Sequence, residues 1–457
     1  MARVPRQSPA MRRALALLMM LLPLLPTEMA MARDPATPPP AWLKALDARY
    51  DANIRVAGLE DRAFSPEHWW EVATPLATEA RGFRTEEVGR SAEGRPLRHV
   101  SWGNGRTRVL LWSQMHGDES TASMAIADLF RFLGGNPDDP VVRRLREGTT
   151  LDFLPVMNPD GAARFQRRNA QGIDVNRDAR RLASPEARAL HDLRERLEPD
   201  FGFNLHDQNV GTRAGDSDRG TAIALLAPAS DDAREVNASR ARAIEVAVVV
   251  RSVLEPYIHG HIAKWDDTFN PRAFGDLTQQ AGVSTILIES GAIDGDVQKQ
   301  RLRKLNFLAL VGALDAIATG SYAGQPKARY DELPENAAVW PDLLVAGGTL
   351  AIPGQPQAKA DLLVDFDRPL LERGGTIADV GDLAGRKARR TIDATGLYIV
   401  PFDPPDATAG AGAGVAQERK AFGPGTPAYF RLSRDPEGRD VAWTLAGDVD
   451  PEQPSPR

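Results

Sequence analysis

From about residue 41 to residue 321, short apolar runs alternate with amphipathic stretches of helical period, and this alternation constrains the fold more than any other feature. Such a chain buries its runs as strands and packs the helical stretches against them, which is the pattern of an α/β domain. Segments 108–113, 150–156, 201–205, 221–227 and 284–288 read as strands, and 120–132, 185–197, 233–254 and 297–318 as helices. Nearly every polar residue of chemical interest falls just past a strand end, where open α/β sheets hold their ligands. After about Tyr322 the texture changes to short apolar pieces rich in Pro and Gly, which predicts a small β domain. There Gly347-Gly348-Thr349-Leu350-Ala351 and Gly374-Gly375-Thr376-Ile377-Ala378 look like two echoes of one turn-and-strand unit. The Ala/Gly-rich stretch 407–416 reads as a flexible loop, and the Pro-rich, polar last residues as disordered.

The N-terminus follows a different logic. Arg3, Arg6, Arg12 and Arg13 precede an apolar stretch from Ala14 to about Leu25, and Ala30-Met31-Ala32 supplies small residues for cleavage. That order of parts predicts a signal peptide over 1–32. The apolar stretch is shorter than the roughly 20 residues of a spanning helix. The expected division is therefore 1–32, a domain over 33–325 that begins with a Pro/Ala-rich linker, and a β-rich domain over 326–457. Loss of four arginines and Glu28 with the leader takes the formal net charge from -6 to -9. A mildly acidic remainder argues against nucleic-acid binding, and no further segment argues for a membrane span. With no cysteine, thiol nucleophiles, thiolate metal ligands and a lipid-linked N-terminal Cys are all excluded. Export, to a periplasm or the cell exterior, permits disulfides, and a chain this long builds its cores without them.

The candidate chemistry begins with His116-Gly117-Asp118-Glu119, placed after an apolar run and before a helix whose cap is Ser120 or Thr121. A His and a Glu three residues apart can point at one ion, and Gly117 allows a tight turn from strand to helix. A hydrolytic zinc takes three protein ligands of imidazole and carboxylate type and keeps a fourth position for water. The third ligand must come from elsewhere, because neither H-E-x-x-H nor its inverse is present. His68, His99, His191, His206, His259 and His261 compete for it. His191 lies in a charged helix, where a solvated face explains it, and His259 with His261 forms an alternative pair that lacks a carboxylate pattern. His206 ends a strand, is followed by Asp207, and is the best candidate. Asn158-Pro159-Asp160-Gly161 is a turn by composition. The stretch from Arg167 to Arg177, dense in Arg and Asn, reads either as a solvated basic loop or as a clamp for a carboxylate, since guanidinium groups bind carboxylates through paired donors.

Taken in order, H-x-x-E, N-P-D-G, R-x-N-A-x-G-x-D-x-N-R, a strand ending in L-H and a later I-E resemble the zinc carboxypeptidases of the carboxypeptidase A type, the M14 metallopeptidases, from roughly Phe83 to Gly320. The resemblance implies a mixed open sheet flanked by helices and one zinc ion held by His116, Glu119 and His206. It implies that Asp174 hydrogen-bonds the first ligand histidine and that Asn176 and Arg177 bind the substrate's C-terminal carboxylate. Arg167 would polarise the scissile carbonyl, with Arg168 taking that part if the loop is shifted by one. Glu289 would be the general base that takes a proton from the attacking water; a carboxylate at the end of a buried strand is costly without such a task or a partner. Two departures stand out. Asp118 replaces the Arg that digestive members place before the ligand Glu, and the segment 264–276 has no Tyr, leaving Phe269 or Trp265 to close the site. The specificity pocket is expected near Phe274 to Asp276. The expected activity is peptide hydrolysis at a free C-terminus, on ordinary peptides or bacterial wall peptides. A zinc amidohydrolase of acylated amino acids and a non-catalytic secreted binding protein are the competing readings. The sequence carries no sign of oligomeric state.

Overall fold

The computed structural model describes residues 40–402 and 422–446, so the expected leader, the Ala/Gly-rich stretch and the chain's last residues lie outside the described part. The strands of the first half are β1 (Phe83–Arg90), β2 (Pro96–Gly103), β3 (Thr107–Ser113), β4 (Thr149–Leu154), β5 (Phe201–Asp207), β6 (Thr212–Ala214), β7 (Ile223–Leu226), β8 (Ile262–Lys264) and β9 (Ser284–Ser290). Eight of them form one open mixed sheet in the order β1-β2-β4-β3-β5-β9-β7-β8. Its centre, β4-β3-β5-β9, is parallel, while β1 to β2, β2 to β4 and β9 to β7 are antiparallel.

The central strands read as unbroken apolar runs because helices cover both faces. Along β3 the two faces separate by alternation: Val109 and Leu111 join one core, Leu110 and Trp112 the other. The first core is closed by α1 (Ala41–Arg49), α2 (Pro66–Ala73), α3 (Thr121–Gly135), α4 (Pro140–Gly148), α7 (Ala238–Ile258) and α9 (Gln300–Thr319). The second lies under α6 (Pro185–Leu197), with the short α5 (Pro159–Ala163) and α8 (Phe274–Gln280) near the carboxyl ends of the strands. Several boundaries differ from expectation for local reasons. Helix α7 starts at Ala238 because the Asn237 side chain caps it by accepting from the Arg240 amide. Helix α9 starts at Gln300, after Lys299 in a left-handed conformation (φ 52°). Ser120 precedes α3 without capping it; its hydroxyl donates to the Arg62 carbonyl at 2.7 Å instead.

A buried ion pair locks this half together. Arg303 on α9 and Asp128 on α3 are both fully buried, 2.6 Å apart, and Asp128 also accepts from the Tyr50 hydroxyl and the Val56 amide. The segment Lys327–Asp331 still belongs here, since Tyr330 and Leu333 lie in the first core and the Tyr330 oxygen accepts from the Ala227 amide. The next core begins at Leu343.

After β10 (Asn336–Val339), which pairs with β6, come β11 (Leu343–Leu350), β12 (Ala358–Asp365), β13 (Thr376–Gly381), β14 (Arg390–Asp393), β15 (Tyr398–Pro401), β16 (Phe430–Ser433) and β17 (Val441–Leu445). They form a second sheet, β13-β12-β11-β15-β16-β17, with β14 also on β11. Leu343, Val345, Val364, Ile377, Ile399 and Phe430 make its core. The two Gly-Gly segments are not copies of one unit: Gly347 and Gly348 sit inside β11 at a break in register, whereas Gly374 and Gly375 precede β13.

Candidate metal centre and cleft

Parallel strands β3, β5 and β9 end side by side, and their carboxyl ends carry the candidate chemistry. His206 is the register partner of Glu289, and His116 follows β3 by three residues. Past β3 the chain turns at Gln114 (φ 54°), then runs so close to α5 that a Cβ on Gly117 would lie 2.0 Å from the Gly161 carbonyl carbon. Gly117 is therefore required by close approach rather than by a left-handed turn. Asn158 fastens the two turns, accepting from the Gly161 amide and donating to the carbonyls of Met115 and Arg167. The N-P-D-G segment is thus a buried hub, and its Asp160 is held by Arg95 at 2.7 Å and by Ser91.

His116, Glu119 and His206 are buried with ligand atoms all within 4.8 Å of one another. The Nδ1 atoms of His116 and His206 each lie 2.7 Å from a different Glu119 oxygen. Behind His116, Asp174 accepts from Nε2 at 3.0 Å, which fixes the tautomer and leaves Nδ1 facing Glu119. Two nitrogen lone pairs and a carboxylate converging on one point require a cation between them. Without a metal that demand falls on a proton: burial works against charging His116, but Glu119 and Asp174 outweigh it and push the imidazole up to about 9. Burial also opposes ionisation of Glu119, yet the two histidines hold it well below the usual carboxylate range. This donor set fits one zinc ion.

Around the centre is a cleft of 820 Å³. Glu289 faces it with Oε2 buried and unpartnered, and burial, reinforced by Glu119 and Asp207, raises its carboxyl well above the ordinary value. Arg167 bridges Asp174 Oδ2, at 2.9 Å from Nη2, and Glu119 Oε1, at 3.2 Å from Nη1. Asn176 and Arg177 line the cleft from the loop that Asn169 shapes by accepting from the amides of Gln171 and Ile173. Trp265 and Phe269 both line it where the loop tyrosine is missing, and Asp276 lines it with its carboxyl raised by burial to about 6.

Arg168 does not join them. Its guanidinium donates to the Gly172 carbonyl and lines a different recess, so a shift of the loop by one residue does not describe this site. The other histidines are accounted for separately: His99 lies between Glu86 and Asp152, His68 contacts the Gly58 carbonyl, and His191 contacts Arg194. His259 contacts Glu255 while His261 contacts the Gly220 carbonyl, so the two do not converge on one ion.

Residues 75–211 match the M14 peptidase family, zinc carboxypeptidase. Over those residues the chain is similar to the zinc carboxypeptidases of family M14. A probable carboxypeptidase 2 of Trichophyton verrucosum is 30% identical over 136 residues, covering 28% of this chain and 26% of that protein. Mouse carboxypeptidase D is 31% identical over 158 residues, covering 28% of this chain and 12% of its own length. A solved metallo-carboxypeptidase from Burkholderia cenocepacia is 20% identical with a TM-score of 0.46, covering 57% of this chain and 70% of that one. The chain thus spans about a quarter of the first of these relatives. The family match ends at residue 211 and does not reach Glu289.

The fold also brings into the cleft two groups that no motif announced. Arg62 arrives from the segment before α2, its Nη2 donating to the Asp118 carbonyl at 3.0 Å and lying 3.2 Å from Asp207 Oδ2. Lys299 is buried and donates to Asp207 Oδ2 and the Ser290 carbonyl. The only hint of this pair in the sequence is an acidic residue directly after the ligand His206.

Proposed function

We propose that this chain is an exported zinc metallocarboxypeptidase that removes residues from the free C-terminus of peptides, with Glu289 as general base. The observation that carries the reading is the convergence of His116, Glu119 and His206 in one cleft with Glu289, Arg167, Asn176 and Arg177. Zinc held by the three ligands would supply Lewis acidity, polarising the scissile carbonyl and making water a nucleophile near neutral pH.

The protein's own groups supply the rest. Arg177 and Asn176 hold the terminal carboxylate, which places the last peptide bond over the metal ligands. Arg167, already anchored by Asp174, presents Nη1 toward the centre and donates to the oxygen on which negative charge develops. The Glu289 carboxylate takes a proton from water as the water oxygen adds to the carbonyl carbon, then returns it to the amine as the C–N bond breaks. A proximate divalent cation favours ionised Glu289, offsetting the burial that raises its carboxyl. Trp265 and Phe269 give the wall of the cleft an aromatic surface for the departing residue. Export rests on the Arg-led apolar segment at the N-terminus; among the described residues, no helix is long and apolar enough to cross a membrane.

The test is a panel of peptides with free or amidated C-termini, read by mass, with zinc content measured alongside. Free peptides lose one residue at a time, amidated ones resist, and Glu289→Gln keeps its zinc but releases nothing. Equal cleavage of amidated peptides, or full activity of Glu289→Gln, sinks the proposal.

A further inference from the structure

The cleft does not end at the metal ligands. Val210 and Pro369 line it and also line a second cavity, of 970 Å³, that reaches β14 and the segment 369–372. Arg177 lines the cleft but not this chamber, so a peptide anchored by its C-terminus at Arg177 and crossing the centre leaves toward Val210.

Arg213, on β6, is the chamber's most confined cation, only 9% exposed. Its guanidinium lies 4.0 Å over the Trp340 ring, which fixes the plane of the fork. Nε is buried without an acceptor, and Nη1 reaches only the Asp218 carbonyl, at 3.4 Å. Among the described residues no carboxylate lies within ion-pair distance of it; Asp218 pairs with Lys387, and the carboxylate of Asp342 with Arg389. Burial, and then Arg389, lower the proton affinity of Arg213, whereas Asp294 and Asp218 act in the opposite sense from farther away. A buried guanidinium without a counter-ion is costly. An anion arriving in the chamber removes that cost by meeting the exposed edge of a fork already held in place.

We infer that this chamber is an acyl-side subsite and that Arg213 binds there a carboxylate carried by the peptide, a residue or more before the bond that is cut. The inference rests on the carboxypeptidase reading and narrows it to substrates with an acidic residue upstream of the cut.

The experiment uses the full chain and neutral peptides in which one Glu is moved stepwise upstream of the C-terminal bond, each matched by the same peptide with Gln. At one or two adjacent positions Glu should raise kcat/KM about tenfold or more over Gln, the size of one charge-assisted hydrogen bond. In Arg213→Met, which keeps an unbranched apolar side chain beside Trp340 but removes the guanidinium, the ratio should fall to about one. The wild-type ratio needs no variant, so a poorly folding Arg213→Met leaves the inference testable. Glu and Gln peptides cleaved alike at every position, or a preference that survives Arg213→Met, overturns it. Binding of the same peptides to Glu289→Gln, followed by tryptophan fluorescence, separates the two levels. If no peptide is ever cleaved, the carboxypeptidase reading fails, while tighter binding of Glu than Gln peptides still supports the subsite and equal binding refutes it. Free glutarate that binds without weakening the Glu peptide would show a separate anion site and also overturn the inference.

Discussion

Asp174→Asn probes how much of the metal centre is made behind the ligands. In the parent, one carboxylate makes four hydrogen bonds: Oδ1 takes His116 Nε2 and the Asn176 amide, each at 3.0 Å, while Oδ2 takes Arg167 Nε at 3.1 Å and Nη2 at 2.9 Å. Although burial opposes its ionisation, His116 and Arg167 keep Asp174 well below the usual carboxylate range. An Asn of the same shape can still accept from His116, but it turns an NH2 toward Arg167 and removes the negative charge that makes the imidazole a stronger donor to metal. Arg167 then has one carboxylate left within reach, Glu119, to which Nη1 already lies 3.2 Å away, so it competes with the metal for a ligand. Loss of such a supporting carboxylate lowers metal affinity about 10- to 100-fold, equivalent to about 1.4–2.8 kcal/mol. Zinc titration against a competing chromophoric chelator measures this directly, with thermal melting of the zinc-free proteins as the control for folding. An affinity within about twofold of the parent in a folded variant would refute the idea that Asp174 orients His116 and restrains Arg167.

Three other outcomes follow from the same structure. Zinc-free protein should lose stability as pH rises from about 6.5 to about 9: His116, raised to about 9 in the fold, contributes fully below its unfolded value and nothing above its folded one. The loss is of order 3 kcal/mol; burial, with Glu119 and Asp207, raises the Glu289 carboxyl, a shift of the same sign. Urea unfolding in chelator at the two ends of that range checks it, and a flat or rising profile contradicts it. Gly117→Ala would place a Cβ 2.0 Å from backbone that cannot yield, so the variant should lose zinc binding or cooperative folding, as chelator titration and circular dichroism would report. Arg303→Met leaves Asp128 buried without its cation and should cost about 3–5 kcal/mol in denaturant unfolding; a change below about 1 kcal/mol would mean that Tyr50 and Val56 suffice for Asp128.

The central strands and the long helices were legible because burial on both faces leaves apolar runs and helical periods in the chain, as Val109 to Trp112 and α6 illustrate. His116, Glu119 and His206 were legible because they lie in short patterns at or just past strand ends, whereas Asp174, in a loop far from any strand, came only through the family resemblance. The N-terminal helices were not: α1 and α2 are brief, and their contribution is a few large side chains such as Leu46 and Trp69 inserted into a distant core. Arg168 was misplaced because spacing along a loop does not say which side of it a guanidinium leaves. Lys299 sits within a polar stretch where nothing marks it as buried; only the fold brings it onto Asp207 and Ser290, the last residues of β5 and β9.

Asp118 is the instructive case. Set against digestive carboxypeptidases, it replaces a guanidinium beside the ligand Glu and makes the cleft look one cation short. The fold restores that cation from another part of the chain: Arg62 donates to the Asp118 carbonyl, meets Asp207 and stacks over Phe165 at 5.0 Å, while still lining the cleft. With Lys299 on the same Asp207 oxygen, two cations share one carboxylate, and Asp207 Oδ1 and Asp118 Oδ1 remain buried without partners. Arg62 is held by these bonds on a segment packed against α3, so it is a fixed wall rather than a mobile contact. With Asp118 in that place, the cleft still holds a cation beside it, supplied by Arg62 from before α2.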